Sequence, residues 1–243
     1  MNLLPKTHSQ FKAKAYWDQF FAQARNFEWY GQFSDFKQPL FATLNSLYNL
    51  NAKQKNFAVA HLGCGNSRLG EELAKAYPMF ELRVDNYDYS EQVIAEMRAS
   101  EQAKQLAGRV SYEVVDLLKP VPEEVRGRFE LVVDKGTLDA ILPEDKPDNI
   151  ASVKENYFCN LRELLRKDKH CCVVVISMLQ DFVLRTLLEG FMGDPQFIVT
   201  IHERWIPNSE MQPFLVELRY SPEAHAASPV TIHTLNKAAS EHV

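Results

Sequence analysis

From Phe57 onward the chain alternates short β-rich runs with longer stretches of helical period. Phe57 to Leu62, Phe80 to Tyr87, Val110 to Val115, Phe129 to Val133 and Cys171 to Met178 read as strands, because apolar, β-branched and aromatic residues crowd into each run. Ser67 to Tyr77, Ser90 to Leu106, Ile150 to Arg166 and Gln180 to Phe191 read as helices; in the second, Val93, Ile94 and Met97 recur on one face. Such alternation predicts a mostly parallel, doubly wound α/β sheet with helices on both faces. The last two runs, Phe197 to His202 and Phe214 to Tyr220, have no helical stretch between them, only a connection containing Pro207 and Asn208. They predict an antiparallel hairpin at the sheet edge, bringing the strand count to seven.

Ahead of this core, Gln10 to Ala24 carries Phe11, Ala15, Phe20 and Phe21 at helical spacing, and Ser34 to Leu50 carries Phe36, Leu40, Leu44, Leu47 and Leu50. Both are expected to be amphipathic helices, with Ser34 and Asp35 as capping residues of the second. Between them lies Phe27-Glu28-Trp29-Tyr30-Gly31, three aromatics in five residues. After Tyr220 the chain turns polar and rich in Ser, Ala and His, which predicts a loosely held tail, with Val230 to Leu235 able to pair with a sheet edge. The expected organisation is a helical and aromatic cover over 1–56, a core over 57–220 and a polar tail over 221–243.

Composition narrows the setting. With 243 residues, 46% of them hydrophobic, the chain can fill one large α/β core, and disorder is excluded. The longest strongly apolar run, Cys171 to Met178, falls far short of the ~20 residues that cross a bilayer. The first fifteen residues hold Lys6, Lys12 and Lys14 but no continuous apolar stretch, and the first arginine is Arg25, so neither a secretory nor a mitochondrial leader is expected. A cytoplasmic location is the resulting expectation. Cys64, Cys159, Cys171 and Cys172 form no C-x-x-C pair; adjacent Cys171 and Cys172 should point to opposite sheet faces, and all four read as reduced, mostly buried thiols. The histidines show no H-x-x-x-H or H-E-x-x-H spacing, leaving His61 and Cys64 as a lone pair, so no metal is expected. Residues 1–56 hold seven basic and three acidic side chains, which leaves 20 basic and 29 acidic for the rest. That acidic body disfavours nucleic acid as a partner and suits a cationic substrate.

The chemistry concentrates at the predicted strand ends. In Val59-Ala60-His61-Leu62-Gly63-Cys64-Gly65-Asn66-Ser67 a strand runs into a glycine turn and then a helix, where the backbone can approach a ligand and the helix offers free N–H groups. Asp88 stands 23 residues after Gly65, at the end of the next strand, where a nucleotide-binding unit places a carboxylate for ribose hydroxyls. Asp85 competes, but Asp88 immediately precedes Tyr89-Ser90, and Ser90 reads as a helix N-cap. Asp116 closes the third strand, followed by Leu117. These features describe a Rossmann-like slot for an adenosine-bearing ligand at the carboxyl edge of the sheet. A dinucleotide loop, G-x-G-x-x-G/A, would place Arg68 in its third glycine position, whereas G-x-G-x-G places the small Ser67 there, and the second form fits better. A fourth strand ends in Asp134-Lys135-Gly136-Thr137-Leu138-Asp139-Ala140, a dense polar cluster in the position that faces the transferred group.

The combination of L-G-C-G-N-S at 62–67, D-Y-S at 88–90 and D-K-G-T-L-D-A at 134–140 resembles the seven-strand S-adenosylmethionine-dependent methyltransferases. Within them it is similar to the branch that methylates lysines of elongation factor 1-alpha. Met1-Asn2-Leu3-Leu4-Pro5-Lys6, Tyr16-Trp17 and the 27–31 segment extend the resemblance over roughly residues 1–220, to the amino-terminal half of a two-domain member. The resemblance implies S-adenosylmethionine as cofactor, held by Trp29, Tyr30, Gly63, Gly65, Asn66, Asp88, Tyr89, Asp116, Leu117 and Asp134. It implies a protein substrate, elongation factor 1-alpha, met by Lys135, Gly136, Thr137 and Asp139. Asp134 is the expected catalytic residue, orienting the incoming ε-amine while Trp29 and Tyr30 fold over the slot; Lys135 is expected to pair with a carboxylate rather than react. Two departures matter: the second methyltransferase half is absent, so N-terminal methylation is not carried over, and Arg166-Lys167-Asp168-Lys169-His170 replaces the glycine-rich turn usual before the fifth strand. A small-molecule methyltransferase and a catalytically silent binding module on the same fold are the alternative readings.

Overall fold

The computed structural model describes residues 4–52, 54–202, 211–223 and 231–233. Eight strands form one sheet: β1 (Phe57–Leu62), β2 (Leu82–Asp88), β3 (Val110–Val114), β4 (Leu131–Lys135), β5 (Cys171–Ser177), β6 (Phe197–His202), β7 (Phe214–Tyr220) and β8 (Thr231–His233). Their order is β3-β2-β1-β4-β5-β7-β6-β8. β1 to β5 are mutually parallel, β7 runs antiparallel between β5 and β6, and β8 pairs parallel to β6. The expected seven strands and the closing hairpin are all present. The hairpin folds back, so that its second strand is the one joined to β5, and β8 covers the edge. β8 falls in the stretch expected as a polar tail; 224–230 and 234–243 lie outside the described residues, as does most of the connection holding Pro207 and Asn208.

The helices are α1 (His8–Lys12), α2 (Lys14–Gln23), α3 (Phe33–Leu50), α4 (Leu69–Ala76), α5 (Glu91–Ala99), α6 (Glu101–Gln105), α7 (Thr137–Ile141), α8 (Pro147–Ser152), α9 (Phe158–Leu164) and α10 (Asp181–Phe191), with a π-helical turn over Val153–Tyr157. Three expected helices prove to be segmented. Ala13 adopts an extended conformation between α1 and α2, and Ser100 does so between α5 and α6, where its Oγ accepts from Ala103 N (3.1 Å). The stretch from Ile150 to Arg166 divides into α8, the π turn and α9. At the start of α3 the cap is Gln32 rather than Ser34: Gln32 N donates to Asp35 Oδ2 (2.7 Å), closing a capping box.

The sheet is buried on both faces, which explains why β5 is apolar from Cys171 to Ile176. Successive residues alternate between two cores, Cys172, Val174 and Ile176 packing on one side and Cys171, Val173 and Val175 on the other. The adjacent cysteines therefore face opposite ways as expected; Cys64 is also buried, Cys159 is exposed, and all four are free thiols. Trp17, Phe20, Phe21, Tyr30 and Phe33 belong to the same apolar cluster as Val59, Val84 and Ile176. The N-terminal region thus packs directly on one face of the sheet.

Candidate active site

The strand order reverses direction between β1 and β4, the place where open α/β sheets form a crevice at their carboxyl ends. A cleft lies there, with about 1110 Å³ of empty space between its walls, mouth included. Its floor holds His61, Gly63 and Gly65; one end holds Asp88, Tyr89, Asp116 and Leu117; another stretch of wall holds Lys135, Gly136 and Thr137. Phe21 and Trp29 come in from the N-terminal region. Of the residues assigned to a site from the sequence, the structure brings Trp29, Gly63, Gly65, Asp88, Tyr89, Asp116, Leu117, Lys135, Gly136 and Thr137 together around this one cleft.

The glycine loop is built for close approach. Gly63 and Gly65 have φ of 52° and 48°, and a Cβ at Gly65 would lie 2.6 Å from Phe21 Cζ, while one at Gly63 would collide with Thr137 Oγ1. Asp88 is engaged with the loop itself: its Oδ2 accepts from Gly65 N (2.9 Å) and its Oδ1 from Ser90 N (2.9 Å). Burial raises Asp88 to about 6 and outweighs those two hydrogen bonds, which act in the opposite direction. Ser90 caps α5 as expected, its Oγ accepting from Val93 N (3.3 Å). Asp85 is occupied elsewhere by Ser111, Arg83 and Arg128, and it does not line the cleft. Asp116 Oδ1 accepts from Leu118 N (3.0 Å) and ends the cleft on the β3 side.

Four assigned residues sit behind the cleft wall rather than on it. Asp134 is fully buried; its oxygens accept from Thr137 N (2.7 Å) and Leu138 N (2.9 Å), the first amides of α7, and from Tyr157 Oη. Both oxygens are thus committed to scaffold groups, and burial raises the carboxyl to about 7 despite them. Asn66 holds the N-terminal segment, its Oδ1 accepting from Phe27 N (2.9 Å) and its Nδ2 donating to Ala24 O. Tyr30 and Asp139 bond each other, Oη donating to Oδ2 (2.9 Å), and Asp139 Oδ1 also accepts from Ser177 Oγ (2.8 Å). A β-carbon on Gly136 would lie 3.2 Å from the Tyr30 ring, so that ring packs on the end of β4. Lys135 is paired with a carboxylate as expected: its Nζ donates to Glu28 Oε2 (2.7 Å) and to Trp29 O (2.9 Å).

Sequence reasoning did not find Glu28, Phe21 or His61. Glu28 lies inside an aromatic run that drew attention to its neighbours, and its partners are far away in the chain. The spacing of His61 and Cys64 presents His61 only as a possible metal ligand. Its Nδ1 meets Asn86 Oδ1 (3.0 Å), and burial lowers it to about 4, so it is neutral near pH 7. Among the described residues no group of His, Cys, Asp and Glu is arranged to hold a metal. Nor is any helix among them long and apolar enough to cross a membrane.

Glycines at 63 and 65, carboxylates at two successive strand ends and an aromatic wall define a Rossmann-like small-molecule-binding cleft. The chain belongs to the methyltransferase-domain family, whose model matches residues 53–206. Bovine eEF1A lysine and N-terminal methyltransferase is 30% identical over 223 residues, covering 91% of this chain and 29% of that protein, and the human protein matches equally. Mouse EEF1A lysine methyltransferase 4 is 33% identical over 160 residues, covering 61% of this chain and 53% of its own length. This chain therefore spans less than a third of the length of the bovine and human relatives. Magnesium protoporphyrin IX methyltransferase from Synechocystis PCC 6803, solved with bound SAH, shares the fold with a TM-score of 0.50 at 17% identity, over 76% of this chain and 81% of that one. Membership in the methyltransferase-domain family agrees with the expectation of S-adenosylmethionine as cofactor.

Proposed function

We propose that this protein methylates a lysine side chain of a protein substrate, elongation factor 1-alpha, using S-adenosylmethionine. The observation that carries the cofactor half is the meeting of Gly63, Gly65, Asp88, Tyr89, Asp116 and Trp29 around one cleft. The acceptor half is supported by the names of the relatives matched along 91% of the chain, which include the N-terminal region as well as the core.

The residues present fit the cofactor. The glycine loop leaves room for a ligand's backbone-like portion, Asp88 would accept from ribose hydroxyls, and Tyr89, Val115 and Leu117 offer apolar surface to a base beside Asp116. Phe21 and Trp29 line the cleft with aromatic rings, whose π-faces favour a cation. When bound, S-adenosylmethionine supplies an electrophilic methyl group on a sulfonium. The protein contributes alignment, desolvation and a place for the neutral amine. A lysine of ordinary pKa ~10.4 must lose a proton, at a cost of about 4.6 kcal/mol at pH 7. Asp88 and Asp116 are the carboxylates on the cleft wall among the described residues. Asp134 acts from behind: by holding the first amides of α7 it fixes Gly136 and Thr137 where they line the cleft.

The test is to incubate the protein and methyl-labelled S-adenosylmethionine with whole-cell extract, then identify the labelled polypeptide and residue. Methyl-lysine in elongation factor 1-alpha is expected. Label confined to small molecules would move the acceptor out of the protein class, and failure to bind S-adenosylmethionine at all would leave only a binding module.

A further inference from the structure

The aromatic segment is fastened to the cleft by a carboxylate that no sequence motif announces. Glu28 is almost fully buried, with its side chain 5% exposed, and so is Lys135 at 3%. One Glu28 carboxylate reaches three elements: Oε1 accepts from Arg68 N (2.8 Å) at the start of α4, and Oε2 accepts from Ser67 Oγ (2.7 Å) and from Lys135 Nζ at the end of β4. Lys135 Nζ donates onward to Trp29 O (2.9 Å), so the same ion pair holds the backbone of the aromatic wall. The segment needs such a fastening. Asn26 and Tyr30 both have positive φ, 51° and 63°; asparagine adopts that conformation readily, but the bulky Tyr30 adopts it only where its surroundings impose it. Asn66 and Asp139 secure its two ends through Phe27 N and Tyr30 Oη.

We infer that Glu28 and Lys135 are positioning residues: their buried ion pair sets Trp29 beside Gly136 on the cleft wall and thereby sets affinity for the adenosine-bearing methyl donor. The inference rests on the cofactor reading above. It differs from a purely stabilising role because the pair joins Ser67 of the glycine loop, Lys135 of the cleft wall and Trp29 in one cluster, so loosening it changes the cleft rather than a remote core. A buried charge stripped of its partner is costly, whereas removing both charges together is tolerated. The pair should therefore behave as a unit.

The experiment compares wild type, Glu28→Gln, Lys135→Met and the double variant by calorimetric titration with S-adenosylhomocysteine and by amide hydrogen exchange of the 24–31 segment without ligand. Each single variant should bind S-adenosylhomocysteine at least tenfold more weakly and exchange 24–31 at least tenfold faster, with peptides from β5 unchanged. The double variant should regain most of the protection and bind more tightly than either single variant. Tyr30→Phe, which removes only the hydroxyl bonded to Asp139, serves if a charge variant fails to fold, and should show the same two changes at smaller size. Faster exchange with affinity unchanged within twofold would reduce the pair to a structural role and overturn the inference; so would unchanged exchange. If wild type itself does not bind S-adenosylhomocysteine, the cofactor reading falls first and this inference with it.

Discussion

Asp134→Asn and Asp134→Ala remove different things from the protein. Asparagine keeps one carbonyl oxygen to accept from Thr137 N or Leu138 N, and its amide group can donate to the Tyr157 hydroxyl. One α7 amide loses its acceptor, a loss of about 1 kcal/mol. Alanine leaves both amides and the Tyr157 hydroxyl in a site with no exposure. A lost helix cap costs about 0.5–2 kcal/mol and a stranded buried hydroxyl about 1–3, together about 1.5–5 kcal/mol. For a domain of this size that lowers the melting temperature by roughly 3–20 °C. The pH dependence has a definite sign. Burial raises this carboxyl from 3.8 to about 7, so the folded protein holds its proton more tightly than the unfolded chain does. Its contribution is complete below pH 3.8 and drains away as pH rises toward 7, so the advantage of wild type over Asp134→Asn should shrink across that window and stay level above it. Subtracting the Asp134→Asn curve cancels Asp88, which titrates in the same range. Thermal melts from pH 4 to 8.5, calorimetry with S-adenosylhomocysteine and single-turnover methyl transfer form the assay. Asp134→Asn should bind S-adenosylhomocysteine within threefold of wild type and keep turnover within tenfold. A variant that melts and binds like wild type yet turns over a hundredfold more slowly would refute this: Asp134 would then contact the acceptor amine.

Three further outcomes follow from the geometry. Asp88→Ala should abolish measurable binding of S-adenosylmethionine in calorimetric titration, and unchanged affinity would remove Asp88 from the ribose role. Gly65→Ala places a methyl group 2.6 Å from Phe21 Cζ at a φ of 48°. It should destabilise by about 2–3 kcal/mol in urea, from left-handed strain plus overpacking, and weaken S-adenosylhomocysteine binding; a stable variant with normal affinity would show that the loop tolerates a side chain. Gly190→Ala should gain up to about 1 kcal/mol of helix propensity in α10 yet lose more, because its Cβ would stand 2.5 Å from Phe158 Cδ2 in a fully packed region. A net loss of about 1–2 kcal/mol without change in cofactor affinity is expected, and a raised melting point would mean that the Phe158 ring can move aside.

The cofactor end of the site was legible because its signals are local. A strand running into Gly63 and Gly65, and strands ending at Asp88 and Asp116, are patterns of a few residues whose meaning does not depend on the rest of the chain. The preference for Asp88 over Asp85 turned on Ser90 as a cap, and that cap is present. The segmented helices were not legible, since Ala13 and Ser100 are extended for reasons of tertiary fit rather than propensity. Nor was α7, whose five residues are too few for a period to show. The fastening of the cover was hidden by distance: Glu28 and Lys135 lie 107 residues apart, and Tyr30 and Asp139 lie 109 apart.

The polar side chains of the run from Asp134 to Asp139 all hold other parts of the fold, and their density has a physical reason. In Asp134-Lys135-Gly136-Thr137-Leu138-Asp139 each polar side chain serves a different neighbour. Asp134 holds the α7 amides and Tyr157, Lys135 holds Glu28 and Trp29, Thr137 Oγ1 donates to Leu62 O (3.0 Å), and Asp139 holds Tyr30 and Ser177. A transferase whose reacting atoms come from cofactor and acceptor gains its rate from alignment, and alignment demands that the end of β4, the glycine loop and the aromatic cover keep fixed relative positions. Four hydrogen-bonding side chains within six residues are what joins three elements at one sheet edge. A dense polar run at such an edge therefore identifies where a site is held together, and Lys135, Gly136 and Thr137 carry that fastening onto the cleft wall itself.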